Sequence, residues 1–227
     1  MTSVSVIIPV YNGESFLGAA LDSALAQGQR PLEVLVVDDG STDGSAAVAE
    51  SRAGVRCLRI EHSGVSTARN RGIAEAAGEW LAFLDADDVW LPEKLAIQVA
   101  ASQSMPDVSI FLGMKRIRIE APAPAWYDGP GDGAELVSYE PSVWLVKRDC
   151  FESAGLFDPT MAIGEDTDWL AHAADAGLRM YVCPEVLTER RIHRANASGV
   201  KYDRKGLMLS ILRDSVHRKR PVSGDAV

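Results

Sequence analysis

Three carboxylates, Asp85, Asp87 and Asp88, follow directly on the apolar run 80–84. Like charges this close repel, and each raises its neighbours' pKa unless a cation is shared. A hard divalent ion, Mg2+ or Mn2+, offers that compensation, because it takes oxygen ligands and bridges carboxylates to substrate phosphates. The plainer alternative is a solvated acidic turn leading into a helix from Pro92, with Asp88 either adding to the field or capping that helix. Acids recur in comparable places: Asp38 and Asp39 close the apolar run 32–37, and Glu165, Asp166 and Asp168 open a predicted helix after Gly164.

The elements that position these acids are read from periodicity. The short, nearly all-apolar run at 80–84 reads as a strand covered on both faces, and the runs at 4–10, 32–37 and 55–60 read as further strands. Between them lie helical patterns over 16–25, 45–52 and 66–77, and a further helix follows over 92–102; Ser41 or Thr42 is expected to cap the helix from Ser45. Strand and helix in alternation mean parallel pairing with right-handed crossovers. In such open α/β sheets the carboxyl ends of the strands are where ligands bind, which is where the acids stand. Beyond residue 105 the pattern loosens. Strands are expected over 108–112 and 115–119, followed by a Pro- and Gly-rich loop, 121–133, whose Trp126 and Tyr127 suit either a lid over a ligand or a packed linker. An extended stretch over 136–146, a short helix over 149–154, the helix from 165 to Gly177 and a strand over 180–183 complete the reading.

The chain has 227 residues and a formal net charge of -9, enough for one large α/β domain and unfavourable for general nucleic-acid binding, which rewards a basic face. No stretch reaches about 18 apolar residues, and the run 4–10 lacks a basic leader and a cleavage site, so the expected location is the cytoplasm. Cys57, Cys150 and Cys183 fit neither a zinc pattern nor a disulfide framework and are expected as free, buried thiols. The sequon at Asn196 is expected to be coincidental. Near the C-terminus, Lys201, Arg204, Lys205, Arg213, Arg218, Lys219 and Arg220 surround Leu207, Met208, Ile211, Leu212 and Val216, spaced for one face of a helix. That helix suits either packing on its own domain or peripheral contact with an anionic membrane at its inner face. Disorder is expected from Pro221.

Taken together, Val4-Ser5-Val6-Ile7-Ile8-Pro9-Val10-Tyr11-Asn12, Val36-Val37-Asp38-Asp39-Gly40-Ser41-Thr42-Asp43, Gly64-Val65-Ser66-Thr67-Ala68-Arg69-Asn70-Arg71-Gly72, Phe83-Leu84-Asp85-Ala86-Asp87-Asp88 and Gly164-Glu165-Asp166 stand in the order found in the family-2 glycosyltransferases. The chain resembles that family over residues 3 to about 177, and the likeness fades through 113–135 and after about 200. The resemblance implies an α/β GT-A fold, a Rossmann-like three-layer sandwich with a mostly parallel central sheet. It divides the chain into a domain over 1–200, with a nucleotide-binding half (1–105) and an acceptor-side half (106–200), and a basic C-terminal helix and tail over 201–227.

The function it implies is inverting, metal-dependent transfer of a sugar from a nucleotide diphosphate, a UDP-sugar above others, to a hydroxyl of a saccharide or lipid-linked glycan. Donor contacts fall on Pro9, Tyr11, Asp39, Arg69, Asp85 and Ala86, with Tyr11 stacking on the base and Asp39 accepting its ring N–H. Mn2+ or Mg2+ falls to Asp87 and Asp85, with His193 reaching the metal or diphosphate. Asp166 matches the general base, with Glu165 as runner-up. An alternative is a non-catalytic nucleotide-sugar-binding subunit of a glycan assembly complex. A nucleotidyltransferase would need a glycine-rich basic loop after the first strand, which Tyr11-Asn12-Gly13-Glu14 does not supply.

Overall fold

A computed structural model describes residues 2–196 and 204–218; the expectations for Ala197 and Ser198 of the sequon, for Lys201, Lys219 and Arg220, and for the tail from Pro221 lie outside the described residues. The first half alternates as its hydrophobic runs dictate: β1 (Val4–Val10), α1 (Glu14–Leu25), β2 (Glu33–Asp38), α2 (Ser45–Glu50), β3 (Val55–Arg59), α3 (Val65–Glu75) and β4 (Trp80–Phe83). A two-residue strand, β5 (Val89–Trp90), precedes α4 (Lys94–Ser104). The second half holds β6 (Ile110–Ile119), β7 (Glu135–Ser138), a 3-10 turn (Pro141–Val143), β8 (Leu145–Lys147), α5 (Cys150–Ser153), α6 (Glu165–Asp175), β9 (Met180–Ile192) and α7 (Arg204–Arg218).

One nine-stranded sheet runs through both halves in the order β3-β2-β1-β4-β8-β6-β9-β5, with β7 on β6. β1 pairs in parallel with β2 and β4, and β2 with β3. β8 then runs antiparallel to both β4 and β6, and β6 is parallel to β9. Two reversals restore direction, so β9 ends at the same edge as β1, β2 and β4.

Side chains alternate across the sheet with period two. Along β1, Val6, Ile8 and Val10 join Leu17, Leu21, Val36, Leu95 and Val99 on one face. Ile7 joins Phe83, Trp144, Phe151, Phe157 and Trp169 on the other. Helices thus cover both faces, giving the three-layer GT-A-like sandwich. Helix α3 lies close over β1, since a Cβ on Gly72 would stand 2.4 Å from Ile7 Cγ2.

The structure corrects several expectations. Neither Ser41 nor Thr42 caps α2; the carboxylate of Asp43 accepts the Ser45 N–H at 3.0 Å, while Thr42 is held by Asn12 and the Ser41 hydroxyl accepts the Asn12 N–H. The two strands expected over 108–119 are one, β6, with register shifts around Gly113 where it meets β9. The extended stretch 136–146 is broken by the 3-10 turn. Trp126 and Tyr127 pack edge to face on each other. Cys150 and Cys183 are buried but Cys57 is only half-buried, and all three are free. Helix α7 packs on α6 through buried Ile211 and a bond from Ser215 to Asp175. No helix among the described residues is long and apolar enough to cross a membrane.

Candidate functional site

The rim formed by the ends of β1, β2, β4 and β9 gathers the polar residues singled out above. Pro9 lies inside β1 opposite Val37 and is buried. Tyr11, just beyond it, is about half exposed, and its ring stacks on His62 with centroids 3.9 Å apart. Asp38 and Asp39 part company at the end of β2: Asp38 turns into the loop to accept the Ser41 N–H. Asp39 accepts the N–H groups of Ser63 and Gly64 at 2.8 and 2.9 Å. Its carboxylate also lies 2.9 Å from His62 Nδ1, and with the Asp39 carbonyl 3.0 Å away that nitrogen faces two acceptors and carries the ring proton.

The turn after β4 divides its acids three ways. Asp85 remains at the rim, where its Oδ1 accepts from Arg69 Nη2 at 2.8 Å. Ala86 is half-buried beside Gly13, where a Cβ would lie 3.6 Å from that of Ala86, which ties the loop after β1 to this turn. Asp87 Oδ2 is held by Asn196 Nδ2 at 2.8 Å and His193 Nε2 at 3.2 Å. Burial works against the charge of Asp87, but those two bonds outweigh it and its pKa falls below the ordinary value. Asp88 neither caps α4 nor faces the rim. It is buried, accepting from Ser142 Oγ at 2.8 Å and from the Arg191 N–H at 3.2 Å, and burial, with Asp87 and Asp85 adding to it, pushes its pKa up to about 7.

Arg69, on α3, is the hub. Its side chain is 4% exposed and joins Asp85 to Glu165, whose Oε1 accepts from Nη1 at 2.6 Å. Burial opposes the guanidinium charge, and the two carboxylates overcome it, so the net shift is upward. Glu165 and Asp166 start α6 because Gly164 adopts φ 83°, left-handed backbone that glycine enters without strain. Asp166 Oδ1 accepts the Thr167 N–H at 2.6 Å. Burial raises the Asp166 pKa, Glu165 and Asp85 add to the rise, and Arg69 opposes it. A hollow of about 300 Å3 lies between Gly64, Ser66, Pro159 and Met161. The Ser66 Oγ and Arg69 Nε, one turn apart on α3, are buried without a hydrogen-bond partner among the described residues.

His193 follows the end of β9 and is buried, stacked on Phe16 with centroids 3.9 Å apart. Its Nδ1 accepts the Ala195 N–H at 3.2 Å, which leaves Nε2 as the donor toward Asp87. Arg191 braces the same corner by donating to the Asp87 and Phe16 carbonyls. For a divalent ion the fit lies in two oxygens: Asp85 Oδ2 and Asp87 Oδ1 have no hydrogen-bond partner among the described residues. Among the described residues, no three His, Cys, Asp or Glu side chains gather to enclose a metal by themselves. Two carboxylates with the remaining positions left to water and phosphate is a usual arrangement for Mg2+.

Sequence reasoning thus missed His62, Ser142, Arg191 and Asn196. Asn196 reads in the sequence as part of a sequon, yet it is buried and bonded to Asp87 and to the Arg191 carbonyl. Its spacing of three residues from His193 after a basic run was the available signal.

The family described as Glycosyl transferase family 2 matches residues 5–128. An uncharacterized glycosyltransferase of Rickettsia prowazekii (strain Madrid E) is 32% identical over 211 residues, covering 86% of this chain and 65% of that protein. One from Rickettsia typhi is 29% identical over the same shares. The chain therefore spans about two-thirds of the length of these curated relatives. Among solved structures, S. aureus TarS 1-349 in complex with UDP-GlcNAc superimposes with a TM-score of 0.75 at 19% identity, covering 96% of this chain and 66% of that one. The same protein with UDP gives 0.72 at 18%. At that identity the likeness speaks for the fold.

Proposed function

The chain belongs to glycosyl transferase family 2, and we propose that it moves a sugar from a nucleoside diphosphate donor, a UDP-sugar, to a hydroxyl of a saccharide or lipid-linked glycan, inverting the anomeric carbon. The observation that carries this reading is the buried Arg69, which joins Asp85 on the donor side to Glu165 on the α6 side. The rim acids and the acid pair of α6 thereby face one site. In this reading 1–105 serves the donor and 106–200 the acceptor, which enters by the hollow beside Ser66. The UDP and UDP-GlcNAc complexes of TarS support a uridine donor.

The roles follow from the contacts. Tyr11 stacks on the base, and Asp39 accepts its ring N–H, as an ionised carboxylate must. Asp85 and Asp87 would hold Mg2+ or Mn2+, and a bound ion would supply positive charge to stabilise the departing diphosphate. His193 and Asn196 orient Asp87, and His193 itself reaches the metal only if its proton moves to Nδ1 and displaces the Ala195 N–H. Asp166 takes the proton of the attacking hydroxyl, its raised pKa bringing it toward the useful range for a general base. Glu165 is a weaker candidate, since Oε1 is committed to Arg69. Pro9 and Ala86 shape the backbone around the donor. Peripheral contact with anionic lipid is proposed for α7, supported by the exposed Met208, Leu209, Leu212 and Val216.

Thermal shift with a panel of nucleotide sugars tests the donor site: UDP-sugars should stabilise the protein only with Mn2+, and Asp87→Ala should abolish the effect. Donor hydrolysis should collapse in Asp166→Ala; unchanged hydrolysis in that variant would favour the non-catalytic binding subunit.

A further inference from the structure

The base subsite is already occupied by a side chain of the protein. The His62 imidazole lies 3.9 Å, centroid to centroid, from Tyr11 at an interplanar angle of 20°, which is the relation a stacked nucleobase would have. Its Nδ1 is hydrogen-bonded to the Asp39 carbonyl at 3.0 Å and lies 2.9 Å from Asp39 Oδ2, where a ring N–H of that base would stand. The Ser63 and Gly64 N–H groups take up the rest of the Asp39 carboxylate, whose side chain is only 4% exposed. The His62 side chain is 55% exposed, so it can swing away without disturbing the core.

We infer that His62 is a resident stand-in for the nucleobase, which the base of an incoming uridine nucleotide must displace from Tyr11 and Asp39. This rests on the donor role proposed above for those two residues. The free protein then divides between a closed state, with the imidazole in place, and an open one. Only the open state binds the base, so the apparent dissociation constant is the intrinsic one divided by the open fraction. The imidazole also sets selectivity, because a base must offer both a stacking face and a ring N–H to match what it replaces. Uracil and hypoxanthine do; cytosine and adenine do not.

Titration of the full chain with uridine, UDP and inorganic pyrophosphate tests this, with affinity from calorimetry and the His62 ring followed by NMR. Uridine and UDP should shift the His62 ring signals, and pyrophosphate should not. His62→Ala should bind uridine about three- to tenfold more tightly than the natural protein, following the population arithmetic for a mostly closed state. His62→Phe, which keeps a ring but loses the N–H, should fall between them. Equal or weaker uridine binding in His62→Ala, with UDP still bound, would overturn the stand-in and make His62 part of the wall. If UDP binds to none of these proteins, or binds equally well in Tyr11→Ala, the base subsite itself is wrong and the inference falls with it.

Discussion

Replacing Arg69 by Met removes the one cation between two acids. Its Nη2 bonds Asp85 at 2.8 Å and its Nη1 bonds Glu165 at 2.6 Å, while its guanidinium lies over the Phe157 ring, 5.5 Å from the centroid. Breaking a buried ion pair by deleting one partner costs about 3–5 kcal/mol, because the other charge is stranded. The two partners do not count alike. Glu165 is 10% exposed at its side chain and Asp85 31%, so water screens much of the loss at Asp85 and little at Glu165. Met retains most of the apolar stem, which leaves a total near the lower bound, about 3 kcal/mol. Against a stability of about 5–15 kcal/mol the variant still folds. Urea unfolding should show a lower midpoint with an unchanged slope. Arg69→Lys should lose most of the same energy, since one ammonium cannot serve as a fork between two carboxylates. Adding Glu165→Gln to Arg69→Met removes the stranded charge and should restore about half the loss, a coupling above roughly 1 kcal/mol. A loss below about 1 kcal/mol in Arg69→Met, or strict additivity with Glu165→Gln, would refute Arg69 as the hub.

Asp166→Asn should lower kcat by about 10²–10⁴-fold, the usual worth of a general base. Because burial and the neighbouring Glu165 raise the Asp166 pKa above 3.8, and the base works ionised, wild-type kcat/KM should fall with decreasing pH along a limb above that value; the limb should be missing from the residual activity of the variant. Lys94 is buried, bonded to the Trp144 carbonyl at 2.8 Å, and burial pushes its pKa well below 10.5. The unfolded chain therefore holds its proton at pH values where the folded one has lost it, so stability should rise with pH as it climbs toward about 10. Urea midpoints for Lys94→Met should rise less over that range, and parallel profiles would sink the account. Burial pushes the Cys150 and Cys183 thiols up to about 11. At pH 8 their thiolate fraction is then about one in a thousand, so a disulfide reagent should titrate only Cys57 in the native protein and all three after unfolding.

The parallel half was legible because each strand is a local signal, a short run closed by polar turn residues, with acids at the ends of β2 and β4. The second half was less so, for reasons that lie in particular residues. Gly113 reads as a break between strands, yet it is the point where Leu187 packs over the backbone, a Cβ there standing 2.3 Å from Leu187 Cδ1. β9 was cut short at Cys183 because Pro184 and the charged run Glu189-Arg190-Arg191 hide a strand whose charges are answered from elsewhere, Arg190 by Glu140 and Glu189 by Arg116. Asp39 and Asp87 come to one edge because they follow the ends of β2 and β4, which both run parallel to β1. Sequence order had no means of finding His62, whose partner lies 23 residues away, and only the spacing from His193 pointed to Asn196, whose partner Asp87 lies 109 residues away.

The acid turn also settles its charge differently from what its spacing suggests. Three neighbouring carboxylates were expected to repel until a cation is shared. Instead each meets a different local answer. Asp85 has a guanidinium, and Asp87 has two donors that hold its pKa down. The repulsion falls on Asp88, buried against Ser142 and the Arg191 N–H, where its pKa rises to about 7. The rim can therefore form without an ion. What a divalent cation would meet is not an unstable cluster in need of neutralising but two fixed carboxylates, each presenting one oxygen. Under the donor role proposed above, such a site would bind an ion weakly through the protein alone and tightly once a diphosphate supplied the remaining oxygens, which would make donor and metal binding mutually dependent by linkage.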